Sequence, residues 1–461
     1  MKINPILNGD SYKYSHYKQY PPGTQYVSSY ISARGSKDPD AANTLFFGLQ
    51  AFLREYMITP ITAADVEQAQ RVIEQHGEPF NYDGWMRIVT EHNGMFPVEI
   101  TAIPEGTIAP LKTALVQVRN TDPQLPWITS FIETAILRAV WYPTTVATRS
   151  WMIRQALKAY SEKSGSVEGV DFKLHDFGAR GVSSNESAMI GGVAHLATGA
   201  KGTDTVMSLV AAEQYYDTTM AAFSIPAAEH STITSWGRDN EIAAYQNMLD
   251  QFAKPGALVA VVSDSYDIMN AASEIWGGVL KQQVLDSGAT VVIRPDSGCP
   301  IDTPVEVIER LIEKYGCSVN EAGYRTLPPA IRVIQGDGIN KDSINQIIAK
   351  LDEKKLALDN IAFGMGGAML QQLDRDTFSF AMKASSININ GTEQDVYKDP
   401  VGDNGKASLR GILDTVVQDD GTITTVRAGQ GTGKTLMRVV YKDGELYNQT
   451  TLADVVAQAN K

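Results

Sequence analysis

Through the middle of the chain, short apolar runs stop abruptly at Gly, Asp or Arg and give way to stretches of helical periodicity. The run at 172–174 ends in His175-Asp176-Phe177-Gly178-Ala179-Arg180-Gly181, and the run at 258–262 ends in Ser263-Asp264-Ser265. Those at 290–293, 331–334 and 361–363 end in Arg294-Pro295-Asp296-Ser297-Gly298, Gln335-Gly336-Asp337-Gly338 and Gly364-Met365-Gly366-Gly367. Strand, polar loop and helix in repetition predict a parallel sheet, and in a closed β/α barrel the loops after the strands form the active face. The polar residues are therefore expected on one rim.

The flanks read differently. Residues 98–103 and 115–119 alternate apolar and polar positions, as a half-buried antiparallel pair does. Thr62 and Asp65 predict a capping box for a helix through Gln75, and Gly77 ends it. Asp10 is expected to cap a short helix over 11–19, stopped by Pro21-Pro22. Helices are expected over 126–141 and 145–164, separated by Pro143, which cannot continue the first. Beyond Lys383, Asp403-Asn404-Gly405, Asp419-Asp420-Gly421 and Lys442-Asp443-Gly444 read as hairpin turns. The expected division is a barrel domain at 166–383 and a discontinuous α+β domain made of 1–165 and 384–461.

Bulk properties narrow the function. A length of 461 residues with 43% apolar content supports sizeable cores, and a net charge of −13 argues against nucleic acid or an anionic membrane as partner. Two cysteines make neither a disulfide framework nor a four-ligand zinc site, and fit a reducing cytoplasm. No apolar stretch approaches the roughly 20 residues that span a bilayer, so a soluble enzyme acting on small molecules is expected.

Candidate chemistry sits at the ends of the runs. Ala428-Gly429-Gln430-Gly431-Thr432-Gly433-Lys434-Thr435 imitates a phosphate-binding P-loop, but the residues after it predict a strand where that motif requires a helix. His230 lies in the small-residue stretch Ser224-Ile225-Pro226-Ala227-Ala228-Glu229-His230. Asp264 reads equally well as a helix cap, and Asp296 and Asp337 as turn formers. Gly336, Gly338, Gly364, Gly366 and Gly367 offer bare backbone N–H groups at neighbouring strand ends, suited to a sugar phosphate, with Arg180 and Arg294 as forked donors.

Asp10-Ser11-Tyr12-Lys13, Lys173-Leu174-His175-Asp176-Phe177-Gly178, Lys201-Gly202-Thr203-Asp204-Thr205, Ala228-Glu229-His230-Ser231-Thr232, Ser263-Asp264-Ser265 and Arg294-Pro295-Asp296-Ser297-Gly298 resemble the nicotinamide phosphoribosyltransferase family, in the same order, from about residue 8 to about residue 400. The resemblance implies a β/α barrel-type phosphoribosyltransferase domain flanked by an α+β domain built from both chain ends. It implies transfer of phosphoribose from phosphoribosyl pyrophosphate to nicotinamide, with Mg²⁺, by a homodimer with shared sites. Phe177 and the partner subunit's Tyr12 would sandwich the pyridine ring, with Asp204, Ser224 and Arg294 at the carboxamide. Arg180, Asp296, Gly336, Asp337, Gly366 and Gly367 would hold the ribose phosphate, and Arg34, Arg375 and Lys383 the pyrophosphate. His230, with Glu229 and Asp264, would take a phosphoryl group from ATP. Nicotinate transfer and a non-catalytic nucleotide-binding barrel are the alternatives; Asp204, with like charge to nicotinate, speaks against the first.

Overall fold

Near-continuous apolar runs rich in β-branched residues form a six-stranded, all-parallel sheet in the computed structural model, which describes residues 4–398 and 408–461. Its strands are β1 (Leu174–Asp176), β2 (Gly202–Thr203), β3 (Leu258–Val262), β4 (Thr290–Arg294), β5 (Ile331–Gln335) and β6 (Ile361–Met365), in the spatial order β2-β1-β6-β5-β4-β3. Parallel bridges from Phe223 to Gly202 and from Ala227 to Ala260 attach residues 223–227 to both outer strands, so the sheet curls into a ring. That short segment is the stave that delivers His230.

Helices cover the outside of the ring. Among them, α1 (Asn185–Leu196) follows β1, and Thr303–Tyr315 and Lys341–Glu353 follow β4 and β5. Their buried stripes, such as Val305, Ile308 and Leu311 or Ile344, Ile347 and Leu351, recur at helical spacing against the sheet. Together these elements belong to a compact unit of Arg149–Val210 and Thr219–Gln372.

The other unit contains the residues up to Thr148, Ala211–Thr218 and Leu373–Lys461. Its seven-stranded sheet runs Thr392–Asp395, Phe380–Ile389, Thr24–Ala33, Val116–Asn120, Val98–Ala102, Arg438–Lys442, Glu445–Leu446. The antiparallel pair expected from alternation is present, with Val98 opposite Asn120 and Ala102 opposite Val116. The Thr62 and Asp65 capping box starts the helix Ala63–His76, and Gly77 ends it at φ 99°.

Three local expectations are corrected. Pro143 does not separate two helices but lies inside one, Glu133–Lys163. The lost backbone bond is offset by tertiary contacts: Thr144 donates its hydroxyl to the Phe47 carbonyl at 3.1 Å, and the Thr145 hydroxyl returns to the Trp141 carbonyl at 2.6 Å. Gly48 packs so tightly there that a Cβ would stand 2.2 Å from Pro143 Cγ. Residues Ser11–Lys18 form a 3₁₀ helix rather than an α-helix, and Asp10 caps nothing, its carboxylate accepting instead from the Thr134 hydroxyl at 2.7 Å. Asp264 is not a helix cap; Asp267 accepts from the Asn270 N–H in that role, at 2.9 Å.

The glycine-rich 428–433 segment joins the strands Ile423–Arg427 and Lys434–Thr435, and the strand Arg438–Lys442 follows, so no helix N-terminus faces it. The turns at Asp419-Asp420-Gly421 and Lys442-Asp443-Gly444 connect antiparallel strands, while the Asp403-Asn404-Gly405 turn lies outside the described residues. Among the described residues no helix is long and apolar enough to cross a membrane.

Candidate active site

A barrel interior is ordinarily filled by layers of bulky branched side chains. Here the inward positions include Ala227, Ala260, Val292 and Ala362, and the short side chains leave a cavity of about 1720 Å³, counting the open space at its mouth. Buried Ala260, Val292 and Ile334 form its apolar floor, with Phe177, Ile225 and Ala362 packed against them.

The polar residues stand where the strands stop. Phe177 follows β1, its backbone N–H donating to the Met365 carbonyl at 3.0 Å, and its ring occupies the space over Gly364. A Cβ on Gly364 would come within 1.9 Å of Phe177 Cε2, so only glycine leaves room for the ring. Asp204 follows β2, and its Oδ1 accepts from the Ser224 hydroxyl at 2.7 Å. Arg294 ends β4 with a 16% exposed side chain and a buried Nε–H that has no hydrogen-bond partner. Phe177, Asp204, Ser224 and Arg294 line one cavity, giving an aromatic face, an anionic acceptor and a cationic donor together.

At the rim, His230 Nε2 lies 2.9 Å from Asp264 Oδ1, and the two side chains are 45% and 2% exposed. A buried carboxylate that takes Nε2–H fixes the imidazole orientation and leaves Nδ1 as the free nitrogen. Nδ1 stands 3.8 Å from Asp296 Oδ2. Burial raises the Asp296 pKa above the ordinary carboxylate range, Arg294 and His230 opposing this and Asp264 and Asp337 adding to it. Asp264 and Asp296 thus share His230, and Asp296 also faces Arg294, its Oδ1 3.9 Å from Arg294 Nε.

Gly336 and Asp337 follow β5 as loop positions, and after β6 Gly366 leads into the short helix Gly367–Leu370. A Cβ on Gly181 would stand 3.0 Å from the Gly367 backbone, so the Ala179–Gly181 turn, with exposed Arg180, packs against the Gly366-Gly367 loop. Glu229 does not reach His230: its carboxylate accepts from the Ser231 hydroxyl, and its backbone N–H approaches the Thr232 hydroxyl at 3.3 Å, closing the turn that begins the helix His230–Thr234.

The remaining expected residues belong to the other unit. Arg34 Nε donates to the Ser379 carbonyl at 2.9 Å. Burial lowers the Lys383 pKa, helped by the neighbouring charges of Arg34 and Lys398, so three cations gather there. Tyr12 is 53% exposed beside His16, and Arg375 is half exposed. Among the described residues no group of three His, Cys, Asp or Glu side chains is placed to hold a metal ion. Sequence reasoning missed Lys398 and the cavity; the alanines at alternating strand positions were the available signal for the latter.

Comparisons with known proteins bear on the family and the fold. A model of the nicotinate phosphoribosyltransferase (NAPRTase) family matches residues 172–445, and one of the nicotinamide phosphoribosyltransferase N-terminal domain matches residues 4–100. A nicotinamide phosphoribosyltransferase of Xanthomonas campestris is 48% identical, the match covering 99% of this chain and 98% of that protein. One of Acinetobacter baylyi is 32% identical, over 98% and 96%. Among solved structures, a nicotinate-nucleotide pyrophosphorylase from Pyrococcus furiosus has a TM-score of 0.63 at 16% identity, covering 99% of this chain and 94% of that one. Human nicotinic acid phosphoribosyltransferase has a TM-score of 0.57, also at 16% identity, over 98% and 92%. At that identity these two bear on the fold alone.

Proposed function

The chain belongs to the nicotinamide phosphoribosyltransferases within the nicotinate phosphoribosyltransferase family, a family of pentosyltransferases, and on that premise we propose that it converts nicotinamide and phosphoribosyl pyrophosphate to nicotinamide mononucleotide and pyrophosphate. The observation that carries the choice of substrate is that Asp204, held by Ser224, and the Arg294 side chain line one cavity beside the Phe177 ring. A carboxamide offers N–H₂ to the first and C=O to the second, and its aromatic ring stacks on the phenyl face.

In the transfer, the pyridine nitrogen bonds to the anomeric carbon as the bond to the pyrophosphate oxygen breaks and its electron pair leaves with pyrophosphate. Positive character grows on the ribose and negative charge on the leaving group. Asp296 and Asp337 suit the first, and the cations Arg34, Arg375 and Lys383 of the partner subunit the second, in a homodimer. Arg180 with Gly336, Gly366 and Gly367 holds the 5-phosphate. Mg²⁺ would be held mainly by the phosphates of the substrate, with a rim carboxylate such as Asp296, and would neutralise charge on the leaving pyrophosphate. ATP phosphorylates His230: Nδ1 attacks the γ-phosphorus, ADP leaves with the electron pair, and water later releases phosphate and restores the imidazole. Asp264 holds Nε2–H throughout, and Glu229 shapes the helix start rather than the chemistry.

Mass spectrometry of the products formed from phosphoribosyl pyrophosphate, Mg²⁺, ATP and equal nicotinamide and nicotinate tests the reading. Nicotinamide mononucleotide alone supports it. Nicotinate mononucleotide as the main product assigns the sister activity and removes the role given to Asp204. A narrower expectation concerns Gly364: the Gly364→Ala protein must displace the Phe177 ring, so its KM for nicotinamide rises about tenfold or more while that for phosphoribosyl pyrophosphate holds. Equal change in both constants removes the ring-stacking role.

A further inference from the structure

One buried carboxyl takes no part in this chemistry. Asp176 has no exposed surface and sits at the end of β1, opposite Met365 of β6 and Thr203 of β2. Alternation along the strand sends His175 and Phe177 into the cavity and Asp176 to the other face of the barrel wall. There α1 presses on it: a Cβ on Gly192 would stand 3.4 Å from Asp176 Oδ2. A ligand in the cavity does not meet this side chain.

Its bonds run sideways, to two loops. Oδ1 accepts the Gly178 N–H at 2.7 Å, immediately after Phe177. The Asp176 carbonyl accepts the Asp204 N–H at 2.9 Å. Oδ2 faces the hydroxyls of Thr203 and Thr205 without a well-aligned hydrogen bond, and the Thr205 hydroxyl has no other partner. Thr203 in turn accepts the Thr205 N–H at 3.0 Å, so Asp204 is framed on both sides.

Such a group is costly. Burial pushes the Asp176 pKa up to about 6; the nearby hydroxyls of Thr205 and Thr203 and the bond from the Gly178 N–H oppose this, and the charge of Asp204 adds to it. An apolar residue of similar size would sit under α1 without desolvating a carboxyl. Local choices that work against stability are expected where function compensates. The compensation here is a clasp between the Phe177-Gly178 loop and the Asp204-Thr205 loop.

We propose that Asp176 is a positioning residue for nicotinamide: from behind the barrel wall its carboxyl holds the loop bearing Phe177, and its main-chain carbonyl holds the loop bearing Asp204. The inference rests on the reading of Phe177 and Asp204 as nicotinamide contacts. Its consequence is selective: ring and amide recognition depend on Asp176, and the phosphate loops do not.

Three variants test it, Asp176→Leu, Asp176→Ala and Asp176→Asn, by KM for each substrate, thermal stability and amide hydrogen exchange at Gly178. Asp176→Leu keeps the branched outline of the side chain without its charge or its bond to Gly178, so the KM for nicotinamide rises about tenfold or more while that for phosphoribosyl pyrophosphate is unchanged. Gly178 exchanges faster in the same protein. Asp176→Asn restores both values, because its carbonyl still accepts the Gly178 N–H. Asp176→Ala takes the place of the leucine variant if the longer side chain prevents folding. A wild-type nicotinamide KM in the variant, equal shifts in both KM values, or an asparagine protein as impaired as the leucine one overturns the proposal. If the wild-type protein turns over no nicotinamide, the functional reading fails instead, and unchanged Gly178 exchange in Asp176→Leu still refutes the clasp on its own.

Discussion

Replacing His230 by alanine abolishes ATP hydrolysis and leaves a slow phosphoribosyl transfer that ATP no longer stimulates. The expected loss of ATPase rate is on the order of 10³-fold or more, since removing a covalent nucleophile removes the pathway rather than weakening one contact. His230 is 45% exposed and packs into no core, so the variant folds with an unchanged Tm. Acid-labile phosphate trapped from labelled ATP in the wild-type protein, and its absence in His230→Ala, gives the direct readout. Asp264→Asn distinguishes orientation from nucleophilicity. With the buried carboxylate neutralised, phosphorylation slows but still occurs, because Nδ1 remains. ATP stimulation retained in His230→Ala would falsify the phosphohistidine reading and leave the Asp264 contact as structural support.

The second large effect is on substrate choice. In Asp204→Asn the side chain still accepts from Ser224 but no longer presents a full charge to the carboxamide. Losing a charge-assisted hydrogen bond costs about 1.5–3 kcal/mol, or about 10- to 150-fold in kcat/KM for nicotinamide. Nicotinate moves the other way, since its carboxylate no longer meets a like charge in the cavity. The two changes multiply in the selectivity ratio. Competition between the two pyridines, read as the ratio of mononucleotide products, measures that ratio; a ratio equal to that of the wild type removes Asp204 from amide recognition. The Arg294 side chain lines the cavity for either ligand, so it does not decide between them.

The strand ends of the barrel were legible because they are written locally. Short apolar runs and β-branching carry 258–262, 290–293 and 331–334 into strands, and Gly, Pro and Asp terminate them within one or two residues. The same locality exposed the false P-loop, because the six residues after Thr435 already had strand character. Pro143 shows the limit of local rules. Its missing N–H predicts a break, yet threonine hydroxyls and the close approach of Gly48 hold a single helix through it.

What the chain by itself determined is the set of polar loops expected on one rim, including Asp264, Arg294, Asp296 and Asp337 and their place after strands, whereas Asp204 entered only through the family resemblance. Only the tertiary structure decided what each one touches. Asp264 lies 34 positions from the histidine it orients and Asp296 lies 66 from it, and nothing in a local pattern chooses that bond over a helix cap. The cavity, the glycine that makes room for Phe177 and the buried clasp of Asp176 are likewise decided by which faces the closed sheet turns inward. Periodicity acts over a few residues, whereas burial and pairing act between strands that are distant in sequence.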